Sequence, residues 1–338
     1  MRAIRCESPG VFTFVEEQKP EVQQGEAIIR VKRVGICGTD LHAYRGRQPF
    51  FSYPRILGHE LSGVIEEIGA NDSGLAVGDH VCVVPYLHCG ECGACLRGKT
   101  NCCTNIQVMG VHTDGGMREW IRVPISHLIV ANEISLEGAA IVECLSIGAH
   151  AVRRSQLSAQ ENVLVIGAGP IGLGVMKAAG LKGAKVAAMD LDPHRLDFCR
   201  EWAGVDGVLT SDGDVDAKLR ELFDGELPDV IYDATGNKLS MEKTFQYATH
   251  GGRIIYVGLV RDDIVFQDPL FHAKELTLYA SRNATKEDFE VVMSAMKDGL
   301  VDVEPFVTHQ VSFDQMIGEF ESWLDPSNRV IKAMVVLD

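Results

Sequence analysis

Three groups of residues in this sequence have types and spacings that could do chemistry. The first is Cys89, Cys92, Cys95 and Cys103, spaced C-x2-C-x2-C-x7-C. Four thiolates at such spacing close a tetrahedral zinc site with no open position, so the expected metal is structural. Gly90, Gly93 and Gly98 let the chain wrap tightly there. Cys102 competes with Cys103 as the fourth ligand, and an iron–sulfur cluster or two disulfides would fit the same spacing.

The second group is dispersed. Cys37 lies in Gly35-Ile-Cys-Gly-Thr-Asp-Leu-His42, His59 and Glu60 in Gly58-His-Glu-Leu-Ser-Gly63, and Glu143 in Val142-Glu-Cys-Leu-Ser146. Each has a bland reading alone: a small core cysteine, a hydrogen-bonded turn histidine, a helix-start charge. Spacing does not assemble them.

The third is Gly167-Ala-Gly-Pro-Ile-Gly172, a G-x-G-x-x-G turn. The pattern alone is weak, but here it follows the apolar run Val163–Ile166 and opens a helical stretch. A second strand then ends at Asp190, about twenty residues on. Gly167 permits the tight turn, Gly169 lets the backbone approach a pyrophosphate, and Gly172 allows close helix packing. The helix N-terminus, with Pro170 and Ile171, favours the anionic diphosphate. Asp190 is placed to accept the ribose hydroxyls and to repel an added phosphate, so NAD is expected over NADP. Arg195 is a candidate for the adenine, or an ordinary surface charge.

The elements that position these groups have two textures. Up to about residue 150, short strand-like runs such as Ala27–Val34 and Leu61–Ile68 alternate with Gly and Pro turns, as in a mainly β domain. From 151 to 299, strand and helix patterns alternate, as in a doubly wound parallel sheet. Apolar runs there are Lys185–Met189, Asp229–Tyr232, Arg253–Val257 and Leu276–Tyr279. Thr285 with Asp288 reads as a capped helix start, with Phe289, Val292, Met293 and Met296 on one face and Gly299 as the stop. Residues 300–338 return to a β-like texture and are expected to rejoin the first domain. The fold class is thus α/β plus a mainly β domain.

Composition excludes several functions. The chain has 338 residues and a formal net charge of -15, a poor match for phosphate backbones. No stretch approaches the roughly 20 apolar residues of a membrane span, and the first residues lack a signal-peptide core. A cytoplasmic protein with no nucleic-acid or membrane partner is expected. In a reducing compartment, clustered cysteines among the ten present point to metal.

The segments GICGTDLH, LGHELSGVIEEIG, VGDHV, the four-cysteine lobe, Asp114–Gly116 and VLVIGAGPIGLG occur in this order along the chain. Together they resemble the zinc-dependent medium-chain dehydrogenase/reductase family, in its sorbitol, L-threonine and sugar-acid (L-galactonate-type) branch. The resemblance implies a GroES-like catalytic domain and a Rossmann domain. It implies Cys37 and His59 as ligands of a catalytic zinc, with Glu60 and Glu143 ligating directly or through water. Simple alcohol dehydrogenases carry a second cysteine where this chain has Glu143. Thr39 matches the family's hydroxyl proton relay, His42 its outer proton acceptor, and Lys332 a basic position near the cofactor diphosphate. One catalytic and one structural zinc, with NAD, are the implied cofactors.

The expected activity is oxidation of a secondary alcohol of a sugar acid or polyol to a ketone. The segment Tyr44–Arg55 leans to the sugar-acid members. Arg118 and Arg282 are candidate partners for a substrate carboxylate, and His112 is a candidate lining residue. Alternatives are an L-threonine 3-dehydrogenase-like enzyme, or a non-catalytic zinc- and NAD(H)-binding regulator on the same fold. The full set of ligand and relay residues favours the enzyme. A homo-oligomer, tetramer or dimer, is expected from the resemblance.

Overall fold

The computed structural model describes residues 1–47 and 51–338. Gln48, Pro49 and Phe50, part of the Tyr44–Arg55 segment, lie outside the described residues. The chain divides into two compact units, Met1–Glu143 with Thr285–Asp338, and Cys144–Ala284.

The first unit is built on a seven-stranded sheet. Its path runs Leu128–Val130, His80–Val83, Glu60–Ile68, Glu26–Ile36, Ala333–Val336, His309–Ser312, and Trp120–Pro124 also pairs with Glu26–Ile36. Ile29, Val34, Leu61, Ile65, Val81, Ile121 and Val335 fill its core. Register matters for the site: Glu60 lies opposite Gly35, and Ala333 opposite Ile36. A Cβ on Gly35 would stand 2.2 Å from Oε2 of Glu60, so only glycine leaves room for that carboxylate. A separate two-stranded ribbon, Tyr86–Leu87 with Gln107–Val108, closes the base of the four-cysteine lobe.

The unit boundaries fall at 143/144 and 284/285, rather than at the texture changes near 150 and 299. The second boundary comes early because the helix Lys286–Lys297 packs within the first unit, and the first falls inside helix Leu136–Arg154. Phe289 meets Tyr86 edge-on with ring centroids 6.2 Å apart, and Lys297 pairs with Glu133 at 2.6 Å. The capping box of Thr285 and Asp288 starts this helix as expected, and Phe289, Val292 and Met296 are its buried face.

The second unit is a six-stranded, all-parallel sheet. Its spatial order is Gly207–Leu209, Lys185–Met189, Asn162–Ile166, Val230–Asp233, Arg253–Tyr256, Thr277–Ala280. Strand order therefore reverses at Asn162–Ile166, the switch point where open α/β sheets bind ligands beyond the carboxyl ends of their strands. Val163, Leu164 and Val165 are fully buried, which is why they read as a continuous apolar run rather than an alternation. Among the described residues no helix is long and apolar enough to cross a membrane.

Candidate active site

The four-cysteine lobe gathers Cys89, Cys92, Cys95 and Cys103 with their sulfurs all within 4.8 Å of one another. Cys92 and Cys95, and likewise Cys103 and Cys89, stand 3.5 Å apart, well beyond a covalent S–S bond of about 2.05 Å. Cys102 is exposed and outside the group. Backbone N–H groups of Cys92 and Asn105 donate to the sulfurs of Cys89 and Cys103 at 3.4 and 3.3 Å. Backbone donors from the Cys95 and Thr104 region hold the Cys92 thiol well below its usual range. A closed set of four sulfurs with amide donors suits a structural zinc.

The dispersed group also comes together. Cys37 is the N-cap of helix Gly38–Tyr44, and its backbone N–H donates to Asp40 Oδ2 at 2.9 Å. The other oxygen of Asp40 accepts from Gly58 N at 3.3 Å. A single buried carboxylate thus ties the Cys37 turn to the Gly58–His59 turn. Gly58 has φ +94°, a conformation that favours glycine. Asp40 was not singled out in the sequence. The available signal was its place three residues after the helix cap, where a carboxylate reaches back to the cap amide.

The ligand atoms of Cys37, His59 and Glu60 lie within 4.8 Å of one another. Nδ1 of His59 is buried without a hydrogen bond, 3.8 Å from Asp40 Oδ1. Burial opposes protonation of this ring, but Asp40 and Cys37 outweigh it and raise its pKa well above the ordinary value. A buried imidazole that bonds Cys37 on one side and faces Asp40 on the other, with the carboxylate of Glu60 close by, is a donor set that fits a zinc ion.

Glu143, on helix Leu136–Arg154, is buried and accepts a hydrogen bond from the Tyr86 hydroxyl. Its charge acts on both His59 and Glu60. Tyr86 was also missed in the sequence, where nothing marks it apart from an ordinary core tyrosine. Thr39 is half-buried and His42 exposed, three residues apart on the short helix that Cys37 caps. That spacing puts them on one helix face.

Lys332 has a partner that its place in the sequence does not announce. Its side chain is 1% exposed, and Nζ donates to both oxygens of Glu60 and to the carbonyl of Ile36. The strand register that sets Ala333 against Ile36 brings it there. The ammonium is bonded to the carboxylate in this structure.

The glycine turn caps helix Pro170–Leu181, with Gly169 as N-cap and Pro170 in the first turn. Gly167 has φ +97°, and a Cβ on Gly172 would stand 1.8 Å from the Gly167 carbonyl. Ile171 follows Pro170 in the same first turn. Asp190 accepts from Ala168 N at 2.6 Å and Asp192 N at 2.9 Å, so its carboxylate sits against the loop. Arg195 is half-exposed, with Nη1 4.0 Å from the Cβ position of Gly169.

The substrate candidates are less concentrated. Arg118 pairs with Glu17 at 3.3 Å, and its backbone bridges to Ala3. Nδ1 of His112 accepts from Val108 N at 3.0 Å, next to the two-stranded ribbon. Arg282 is exposed just after strand Thr277–Ala280.

Residues 23–133 match the alcohol dehydrogenase GroES-like domain, and residues 170–298 the zinc-binding dehydrogenase domain. L-galactonate-5-dehydrogenase of Escherichia coli K12 is 41% identical over 335 residues, 99% of this chain and 98% of that one. The chain belongs to the zinc-dependent medium-chain dehydrogenase/reductase family. It is an NAD-dependent, zinc-binding enzyme of the alcohol dehydrogenase type. Within the family it is also similar to L-threonine 3-dehydrogenase of Pyrococcus horikoshii, 33% identical over 95% of this chain and 94% of that one. Among solved structures, the alcohol dehydrogenase RspB of E. coli CFT073, complexed with NADH, superimposes with a TM-score of 0.92. It is 30% identical, with 100% of this chain and 99% of that one covered.

Proposed function

We propose that this dehydrogenase oxidises a secondary alcohol of a sugar acid or polyol to a ketone, with NAD as hydride acceptor. The observation that carries the reading is the Cys37–His59–Glu60 cluster with the carboxylate of Glu143 beside it, a harder donor set than two cysteines would make. Similarity to an L-galactonate dehydrogenase across 99% of the chain supports the substrate class.

A zinc ion held by Cys37, His59 and Glu60 supplies a Lewis acid that lowers the pKa of a hydroxyl. The chain's own residues do the rest. Asp40 fixes the two turns that carry Cys37 and His59. Thr39 accepts the alcohol proton, and His42, on the same face and exposed, delivers it to water. The glycine turn at Gly167–Gly172 seats the diphosphate against helix Pro170–Leu181, with Pro170 and Ile171 in its first turn and Arg195 alongside. Asp190 takes the ribose hydroxyls. Arg282 offers the planar, bidentate donor fork that suits a substrate carboxylate, whereas Arg118 is paired with Glu17. Ten free cysteines suit a cytoplasmic enzyme, and we read it as a homo-oligomer.

The test is NAD reduction with L-galactonate, L-idonate, sorbitol, L-threonine and a short secondary alcohol. A site that bonds several hydroxyls rejects analogues lacking them, because its own polar groups are left unpaired. Sugar acids or polyols should lead. Preference for L-threonine, the second reading favoured by the Pyrococcus relative, would overturn the substrate class.

A further inference from the structure

We propose that Tyr86 is a positioning residue that ties the Glu143 carboxylate back from the Cys37–His59–Glu60 cluster and so keeps one zinc coordination position open for the alcohol. The inference rests on the reading of that cluster as the catalytic zinc site.

Four protein ligands close a zinc site, whereas a catalytic site keeps a position free. Cys37, His59 and Glu60 already supply three. Glu143 is close enough for its charge to act on His59 and Glu60, yet it stands outside that mutually close set. What holds it is visible. Tyr86 and Glu143 are each 4% exposed, and the phenol donates to Oε1 of the carboxylate. A buried carboxylate without a donor is costly, so the bond is one that Glu143 keeps unless a cation replaces it. A phenol carries its proton at neutral pH and so acts as the donor to the carboxylate.

The ring is held by parts with no role in the chemistry. Tyr86 begins the strand Tyr86–Leu87, paired with Gln107–Val108, and Phe289 meets its face edge-on at 6.2 Å. The chain runs from this ribbon directly into Cys89. The four-cysteine lobe thus secures the ribbon that aims the phenol at Glu143.

The test uses the full-length enzyme with cobalt at the catalytic site, whose visible absorption reports its ligands. Wild type, Tyr86→Phe, Glu143→Ala and the double variant are compared. In Tyr86→Phe, Glu143 should join the metal. The absorption bands shift, and zinc leaves to a chelator about tenfold more slowly. The rate constant kcat falls by about tenfold while KM for NAD is unchanged, the scale of one hydrogen bond to a charged group. In the Glu143→Ala background the same Tyr86→Phe change should alter neither spectrum nor metal release. A Tyr86→Phe spectrum and release rate equal to wild type, or equal changes with and without Glu143, overturns the proposal. An anomalous-scattering structure of the wild-type holoenzyme tests it without any variant, and Glu143 bonded to zinc while still bonded to Tyr86 overturns it. Wild type that takes up no cobalt at this site overturns the zinc reading beneath it, a separable result.

Discussion

The ammonium of Lys332 lies 2.6 and 2.8 Å from the two carboxylate oxygens of Glu60, with both side chains withdrawn from solvent. Removing one partner of such a pair leaves an uncompensated buried charge, at a cost of about 3 to 5 kcal/mol. Lys332→Met should therefore destabilise the metal-free protein by about that much. With zinc bound the loss should be smaller, because the metal takes over the charge of Glu60. Urea unfolding with and without zinc measures both, and equal losses in the two states would remove Glu60 from the ligand set.

The two metal clusters should fail differently. Metal analysis should find about two zinc ions per chain, matching the two ligand groups. Cys92→Ser should lower the thermal midpoint first, since its lobe has little core of its own. His59→Ala should abolish turnover while the fold survives. Active protein free of zinc would contradict both assignments.

Cofactor choice should follow Asp190. The carboxylate already holds two loop amides, at Ala168 and Asp192. Asp190→Ala should weaken NAD binding, through lost ribose bonds and a looser loop, and should raise relative use of NADP. Steady-state comparison of the two cofactors decides this, and wild type that uses both equally well removes Asp190 from discrimination.

Alcohol oxidation releases a proton, so its rate should rise with pH through the neutral range, with carbonyl reduction favoured at lower pH. Thr39→Val should retain NAD binding and lose most turnover. Near-normal turnover in that variant would take Thr39 out of the relay.

Acid stability should depend on His127. Burial, then the neighbouring His88, push its pKa down to about 4. Between there and an ordinary value of about 6.5, the unfolded chain binds the proton and the folded one does not. Stability therefore falls as pH drops through that window, by up to about 3 kcal/mol from this residue. His127→Gln should flatten the slope there, and urea midpoints from pH 7 to pH 4 check it. An unchanged slope would assign the acid loss to other groups.

The parts legible in the sequence are those written in local pattern. The central strand of the nucleotide sheet, the glycine turn and the cap at Thr285 each declare themselves within a dozen residues, through burial on both faces, a forbidden Cβ and a reciprocal side-chain bond. The four cysteines do so by spacing. What holds the catalytic group together is not local. Glu60 and Lys332 are 272 residues apart, and Tyr86 and Glu143 are 57 apart. Their meeting depends on strand register and helix packing, for which a single sequence carries no period. For the same reason the pairing of Lys332 with Glu60 is not legible in the sequence. Asp40 stands within the Gly35–His42 segment, but its second bond, to Gly58, spans 18 residues and only the fold shows it.

The strand Ala333–Val336 sits between Glu26–Ile36 and His309–Ser312. On the ribosome this makes the two units finish at different times. Cys144–Ala284 is contiguous, and all six strands of its sheet are synthesised before the chain returns to the first unit. The first unit waits for residues 332–336, which supply both a central strand of its sheet and the lysine that neutralises Glu60. Domains generally fold as units during synthesis. A nascent chain can thus present every strand of the dinucleotide-binding sheet while the sheet that carries Glu60 still lacks its inserted strand and its lysine.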